Sequence, residues 1–159
     1  MTDETSKISE VVNKVPPSAI RRFFDLANEM KGHVISLSIG EPDFVTPWSI
    51  REAGINSLRE GYTHYSPNSG YLDAREAICS YIQRRYGVSY SPKEECLITV
   101  GGSEGLDLVA RALINPGDEV VIVEPCFVAY KATVMFAHGV PVVISTKEEN
   151  DYKLMPEEL

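Results

Sequence analysis

Basic residues are scarce in this sequence: 15 Lys and Arg stand against 23 Asp and Glu, a formal net charge of −8. Nucleic acids and anionic membrane surfaces both favour a basic face, so this balance argues against either as a partner. It leaves room for a small anionic ligand held in one local pocket. Long apolar runs are lacking too, and nothing approaches the length that a bilayer-spanning helix needs. The N-terminal stretch MTDETSKISE has neither a basic n-region nor an apolar h-region, so no signal peptide is expected. Cysteine is sparse: Cys79, Cys96 and Cys126 are odd in number and never fall in a C-x-x-C pair. The expectation is reduced thiols in the cytoplasm and no structural metal. His33, His64 and His138 share no metal-ligand spacing and read as solvent-facing or packed.

What is present is ordinary for a soluble globular chain, with 43% hydrophobic and 24% charged residues among 159. That length suffices for one domain with a core. Residues 1 to 15 are polar and read as an arm. Ser18 reads as an N-cap, after which Ile20, Phe23, Phe24, Ala27 and Met30 recur at helical spacing until Gly32. HVISLSIG alternates, predicting a strand over 34–39. Thr46 with Pro47 predicts an N-cap and first helical residue, with that helix ending at Gly61. YTHYSPNSGY is a loop, and a helix runs from Leu72 to Gly87.

The rhythm then changes. Cys96–Val100 reads as a strand, followed by a glycine turn and a helix through Leu106, Val109, Ala110 and Leu113. After NPGD, residues 119–123 (EVVIV) read as a strand covered on both faces. A helix over about Phe127 to His138 and a strand at PVVIS complete a β-α-β-α-β order. The expected class is α/β, with a parallel sheet and right-handed crossovers. KLMPEEL reads as the start of a further helix, and three parallel strands leave two sheet edges to cover. The expectation is the front part of a longer protein.

TVGGSEGLDL places Gly101, Gly102 and Ser103 between strand and helix. The first N–H groups of a helix lack intrahelical partners and sit at the positive end of its dipole. Glycines let that backbone approach a phosphate, and the Ser103 hydroxyl adds a donor. A tight turn with no ligand is the other reading, and spacing alone leaves both open. A dinucleotide fold is a rival, because Glu124 ends the next strand where a ribose-binding acid would stand. Val100, however, occupies the place of that motif's first glycine.

Four segments bear on the choice: ISLSIGEPDFVTP (35–47), YTHYSPNSGYLDAREAI (62–78), TVGGSEGLDLVARAL (99–113) and EPCFVAY (124–130). In this order they resemble the N-terminal part of a class I/II aminotransferase, a pyridoxal-phosphate enzyme of fold type I. The resemblance covers the chain from about Ile8 onward. It implies an N-terminal arm and start of the small domain over 1–46, and the first, incomplete part of the large cofactor domain over 47–159.

The resemblance also assigns residues. Gly101, Gly102 and Ser103 match the turn that holds the phosphate of pyridoxal 5'-phosphate. Phe127 matches an aromatic ring laid against the pyridine, with phenylalanine where many relatives carry tryptophan. Tyr65 matches a tyrosine reaching across a homodimer interface to the other subunit's phosphate, and Gly40 a glycine beside the substrate's α-carboxylate. Tyr130 is a further lining candidate. Without the family, Phe127 reads as core packing, Tyr65 as a loop tyrosine and Gly40 as part of a turn. Cys126, next to Phe127, reads either as a reactive thiol or, more commonly for such a residue, as a small buried hydrophobe. The implied activity is ping-pong transfer of an amino group from an amino acid to a 2-oxo acid, often 2-oxoglutarate, through a Schiff base. The lysine, pyridine-nitrogen acid and carboxylate-binding arginine of that chemistry lie downstream in the family. None of Lys7, Lys14, Lys31, Lys93, Lys131, Lys147 or Lys153 has a matching context. The chain alone is therefore expected to be inactive. A fold-type-I lyase or synthase and a non-catalytic dimerising or binding domain stay open as alternatives.

Overall fold

In this computed structural model the described residues are 7–17, 19–30, 35, 40 and 42–159, with 19, 21, 22 and 28 described by backbone alone. In chain order the elements are α1 (Glu10–Lys14), α2 (Ala19–Glu29), α3 (Trp48–Arg59), α4 (Leu72–Tyr86), α5 (Gly101–Leu113), β1 (Glu119–Glu124), α6 (Ala129–Phe136) and β2 (Val140–Ser145). Short 3-10 turns follow at Glu148–Asn150 and Pro156–Glu158. Two compact units result, Met1–Ser38 with Val100–Leu159, and Ile39–Thr99.

The first unit holds a β-α-β motif. Asn115–Asp118 reverses the chain after α5: the Asp118 carboxylate accepts the Asn115 N–H at 2.8 Å, and Gly117 takes φ +90°. Such a turn needs both a short acceptor side chain and a residue free to adopt positive φ. β1 then pairs in parallel with β2, from Glu119 opposite Val140 to Glu124 opposite Ser145. Between them α6 covers the sheet and packs against α5 and α1. Ala110, Ile122, Val134 and Ala137 are the buried apolar residues described in this unit.

The second unit centres on α4, which ends where Gly87 takes φ +73° and donates its N–H to the Gln83 carbonyl. Arg75, only 7% exposed, reaches out of α4 to bond the carbonyl oxygens of Gly70 at 3.2 Å and Pro92 at 2.6 Å. It thereby ties the loop before the helix to the loop after it.

Several expectations change. The α/β class holds, but the three-strand order does not: 96–100 forms no strand. A strand needs a ladder partner, and this segment's described backbone bond, Ile98 N–H to Ser69 O, is made to a loop. β1 is not covered on both faces either, since Val121 is 48% exposed while Ile122 is buried. Pro47 is the N-cap rather than the first helical residue; its extended ψ of 142° puts Trp48 first. The last helix is shorter than expected, because Val128 caps it and His138, at φ +64°, leaves helical geometry. The polar arm contains α1. Ser18 and most of the strand expected over 34–39 lie outside the described residues.

Candidate functional site

The glycine turn opens α5 rather than preceding it. Val100 is the N-cap, Gly101 and Gly102 are the first two helical residues, and Ser103 completes that turn. Gly101 takes φ +79°, a conformation that a side chain would disfavour. A Cβ built on Gly101 or Gly102 would meet nothing within 4 Å. These glycines therefore serve no close packing of protein on protein; they keep an open face at the positive end of the α5 dipole. The Ser103 hydroxyl belongs to the same exposed turn. A turn without side chains at a helix head leaves room for the phosphate of pyridoxal 5'-phosphate.

Topology brings a second group to this end. The Asn115–Asp118 reversal sends β1 back along α5, and Leu106, Val109 and Leu113 line an apolar groove together with Val120–Val123. Thirteen helical residues span about 20 Å. Six strand residues span about the same length. The C-terminal end of β1 therefore lies level with the start of α5, where ligands of α/β proteins collect. There Glu124–Pro125 is a cis peptide. Phe127 follows, 50% exposed, its ring edge-on to Tyr130 with centroids 5.8 Å apart. An exposed aromatic face beside a helix N-terminus suits stacking on a flat heteroaromatic ring. Cys126 is half-buried rather than buried, its Sγ 3.6 Å from the Phe127 carbonyl oxygen.

Tyr65 and Gly40 belong to the other compact unit. Tyr65 is fully exposed, and its ring is free of the half-packed contact that an ordinary loop tyrosine makes. Gly40 has open space where a side chain would stand.

Three features escaped the sequence reading. The Glu104 carboxylate turns back to accept the Val100 N–H, capping α5 beside the glycines. Its signal was an acid in the first helical turn. Lys131 pairs with Glu124 at 2.6 Å, which binds α6 to the end of β1 and occupies the lysine nearest Phe127 in sequence. Nothing in the spacing marked Arg75 as a buried clamp. Two further lysines are held in ion pairs, Lys147 with Glu149 at 3.6 Å and Lys153 with Asp151 at 3.1 Å. At the far end of α5, Asp107 bonds Arg111 at 2.7 Å and raises the guanidinium pKa. Among the described residues no group of three His, Cys, Asp or Glu could hold a metal ion, and no helix is long and apolar enough to cross a membrane.

The family model described as aminotransferase class I and II matches residues 32–159. The chain belongs to the class I and II aminotransferase family. Members of this family depend on pyridoxal phosphate. The YugH protein of Bacillus subtilis (strain 168) is 52% identical over 94% of this chain and 38% of its own length. The aromatic-amino-acid aminotransferase 2 of Thermococcus litoralis is 41% identical over 96% of this chain and 39% of its own. Among solved structures, the aspartate aminotransferase from Thermus thermophilus with maleate superposes with a TM-score of 0.88 at 36% identity, covering 95% of this chain and 40% of that one. The chain thus spans about two fifths of the length of the class I and II aminotransferases that it matches.

Proposed function

We propose that this chain is the N-terminal portion of a pyridoxal-phosphate-dependent aminotransferase that moves an amino group from an amino acid to a 2-oxo acid, with 2-oxoglutarate as acceptor. The open glycine turn at the head of α5, level with the exposed Phe127 ring, carries this reading. In it, 1–46 is the N-terminal arm and start of the small domain, and 47–159 is the first part of the cofactor domain. Relatives named as aspartate and aromatic aminotransferases support an acidic or aromatic amino acid as donor.

Gly101 and Gly102 would hold the cofactor phosphate through their backbone, with the Ser103 hydroxyl as a further donor. Phe127 would lie on the pyridine ring, keeping it flat and excluding water from one face. Gly40 would let the backbone approach the substrate's α-carboxylate. Tyr65, projecting fully into solvent, would reach the partner subunit's cofactor phosphate in a homodimer. When bound, the cofactor supplies an electron sink for the charge left at Cα as its proton departs. Moving that proton needs a lysine, and no lysine of this chain has a matching context. The chain by itself does not transaminate. A cytoplasmic location accords with its unpaired thiols.

The test is glutamate formation from 2-oxoglutarate with aspartate or phenylalanine as donor. The whole protein is expected to form glutamate, and the 159-residue chain none. Release of pyruvate and sulfide from cysteine without glutamate would instead identify a lyase.

A further inference from the structure

Phe127 sits on the connection 125–128 between β1 and α6. A surface connection of this kind moves unless something outside it fixes its ends. Here the fixing converges on Glu124, the last residue of β1, from two directions. Across the sheet, Thr146, just past β2, donates twice to the Glu124 carbonyl oxygen, through its N–H at 2.8 Å and its hydroxyl at 2.7 Å. From α6, the Lys131 ammonium reaches back over the connection to the Glu124 carboxylate at 2.6 Å. The connection is thereby closed at its base, with one residue gripped through both backbone and side chain. Inside it the Tyr130 N–H donates to the Phe127 carbonyl oxygen at 3.1 Å, and the two rings meet edge-on. The proposed transamination uses neither Thr146 nor Lys131.

On the aminotransferase reading, on which this rests, we propose that Lys131 and Thr146 are positioning residues, which act through Glu124 to hold the Phe127 ring where it stacks on the cofactor's pyridine. Stacking depends on the offset and angle of the two rings, so a ring that swings with a loose connection loses contact without being removed. A ring fixed beforehand also spares binding the cost of ordering it. The ion pair contributes little stability of its own, because its side chains are 45% and 35% exposed. Its effect is geometric: it ties the start of α6 to the end of β1, on either side of Phe127.

The test measures the affinity of the whole apo protein for pyridoxal phosphate, with the thermal midpoint of each apo variant beside it. Phe127→Leu should bind about tenfold more weakly, the upper end of what an aromatic contact supplies. Lys131→Met and Thr146→Val should each weaken binding about threefold, and Lys131→Arg and Thr146→Ser, which keep the donor, should restore it. The circular dichroism band induced in the bound cofactor should shrink in Lys131→Met and return in Lys131→Arg, while apo thermal midpoints stay near the starting protein's. The deciding variant is Lys131→Met made together with Phe127→Leu: with the ring gone, the loss from Lys131 should vanish. If Thr146→Val fails to fold, the Lys131 variants alone decide the matter. Unchanged affinity in Lys131→Met, or a loss that persists without the Phe127 ring, would overturn the proposal and leave the aminotransferase reading standing. An unsubstituted protein that binds no pyridoxal phosphate would overturn both.

Discussion

Gly101 and Gly139 differ in what confines them, and that difference predicts different costs. Gly101 has φ +79° with open space around it, so Gly101→Ala costs only backbone strain, about 1–2 kcal/mol. Chemical denaturation should show that loss, together with weaker retention of pyridoxal phosphate. Gly139 is crowded instead: a Cβ there would stand 2.8 Å from Ile114 Cγ2 and 3.0 Å from Val134 Cγ1. Gly139→Ala should cost about 1–3 kcal/mol through overpacking and leave cofactor binding untouched. Cys79 carries a pH signature. Its thiol pKa is raised in the fold, mainly by burial, so the native state keeps a proton that the unfolded chain releases. The contribution is complete below the unfolded thiol's pKa of about 8.5 and is lost as pH rises through the folded value. Denaturation midpoints should therefore fall on the alkaline side, and Cys79→Ala should remove part of that fall. Equal alkaline slopes in the two proteins would contradict this account.

At the scale of elements, α5 and α4 are each held by one polar side chain. Glu104 caps the head of α5, so Glu104→Ala should cost about 1 kcal/mol, and Glu104→Gln, which keeps an acceptor, less. The Asp107–Arg111 pair on the same helix is solvent-exposed, and Asp107→Ala should cost no more than about 0.5 kcal/mol. Arg75→Ala would strand the Gly70, Pro92 and Lys93 carbonyls and destabilise the second unit by about 3 kcal/mol, measurable by hydrogen exchange in 70–96. Elements of this kind were legible in unequal measure. Helices α2 to α6 and the two paired strands announced themselves through apolar patterning and through Gly87 and the Asn115–Asp118 turn, all local signals, whereas α1 did not. The glycine turn could be located in the sequence, but the return of Glu104 onto Val100 could not. Residues 96–100 have strand composition, yet a strand is a relation between segments, and apolar content does not say whether a partner is present. Arg75 was hidden for the same reason, since contacts across a loop carry no periodic mark.

Among the described residues, exposed large apolar side chains outnumber buried ones. Leu113 is 73% exposed, Val109 55% and Val121 48%, all around an open groove of about 560 Å³ between α5 and β1. Among the described residues β1 pairs only with β2, leaving its other edge open. Contiguous apolar surface beside an open strand edge favours association. The 159-residue chain should therefore bind a hydrophobic dye and show concentration-dependent association in sedimentation. A stable, dye-silent monomer would contradict that expectation. On the proposed function, this chain supplies the phosphate-binding head of an aminotransferase whose reactive lysine lies outside residues 1–159. The most direct measurement is borohydride trapping of the native protein with pyridoxal phosphate, read by intact mass and peptide mapping. The expected product has a mass well above 17.6 kDa and carries one pyridoxyl group, on a lysine outside residues 1–159. A specific adduct on Lys131 or another lysine of this chain, or a native 17.6 kDa product with no adduct, would contradict it.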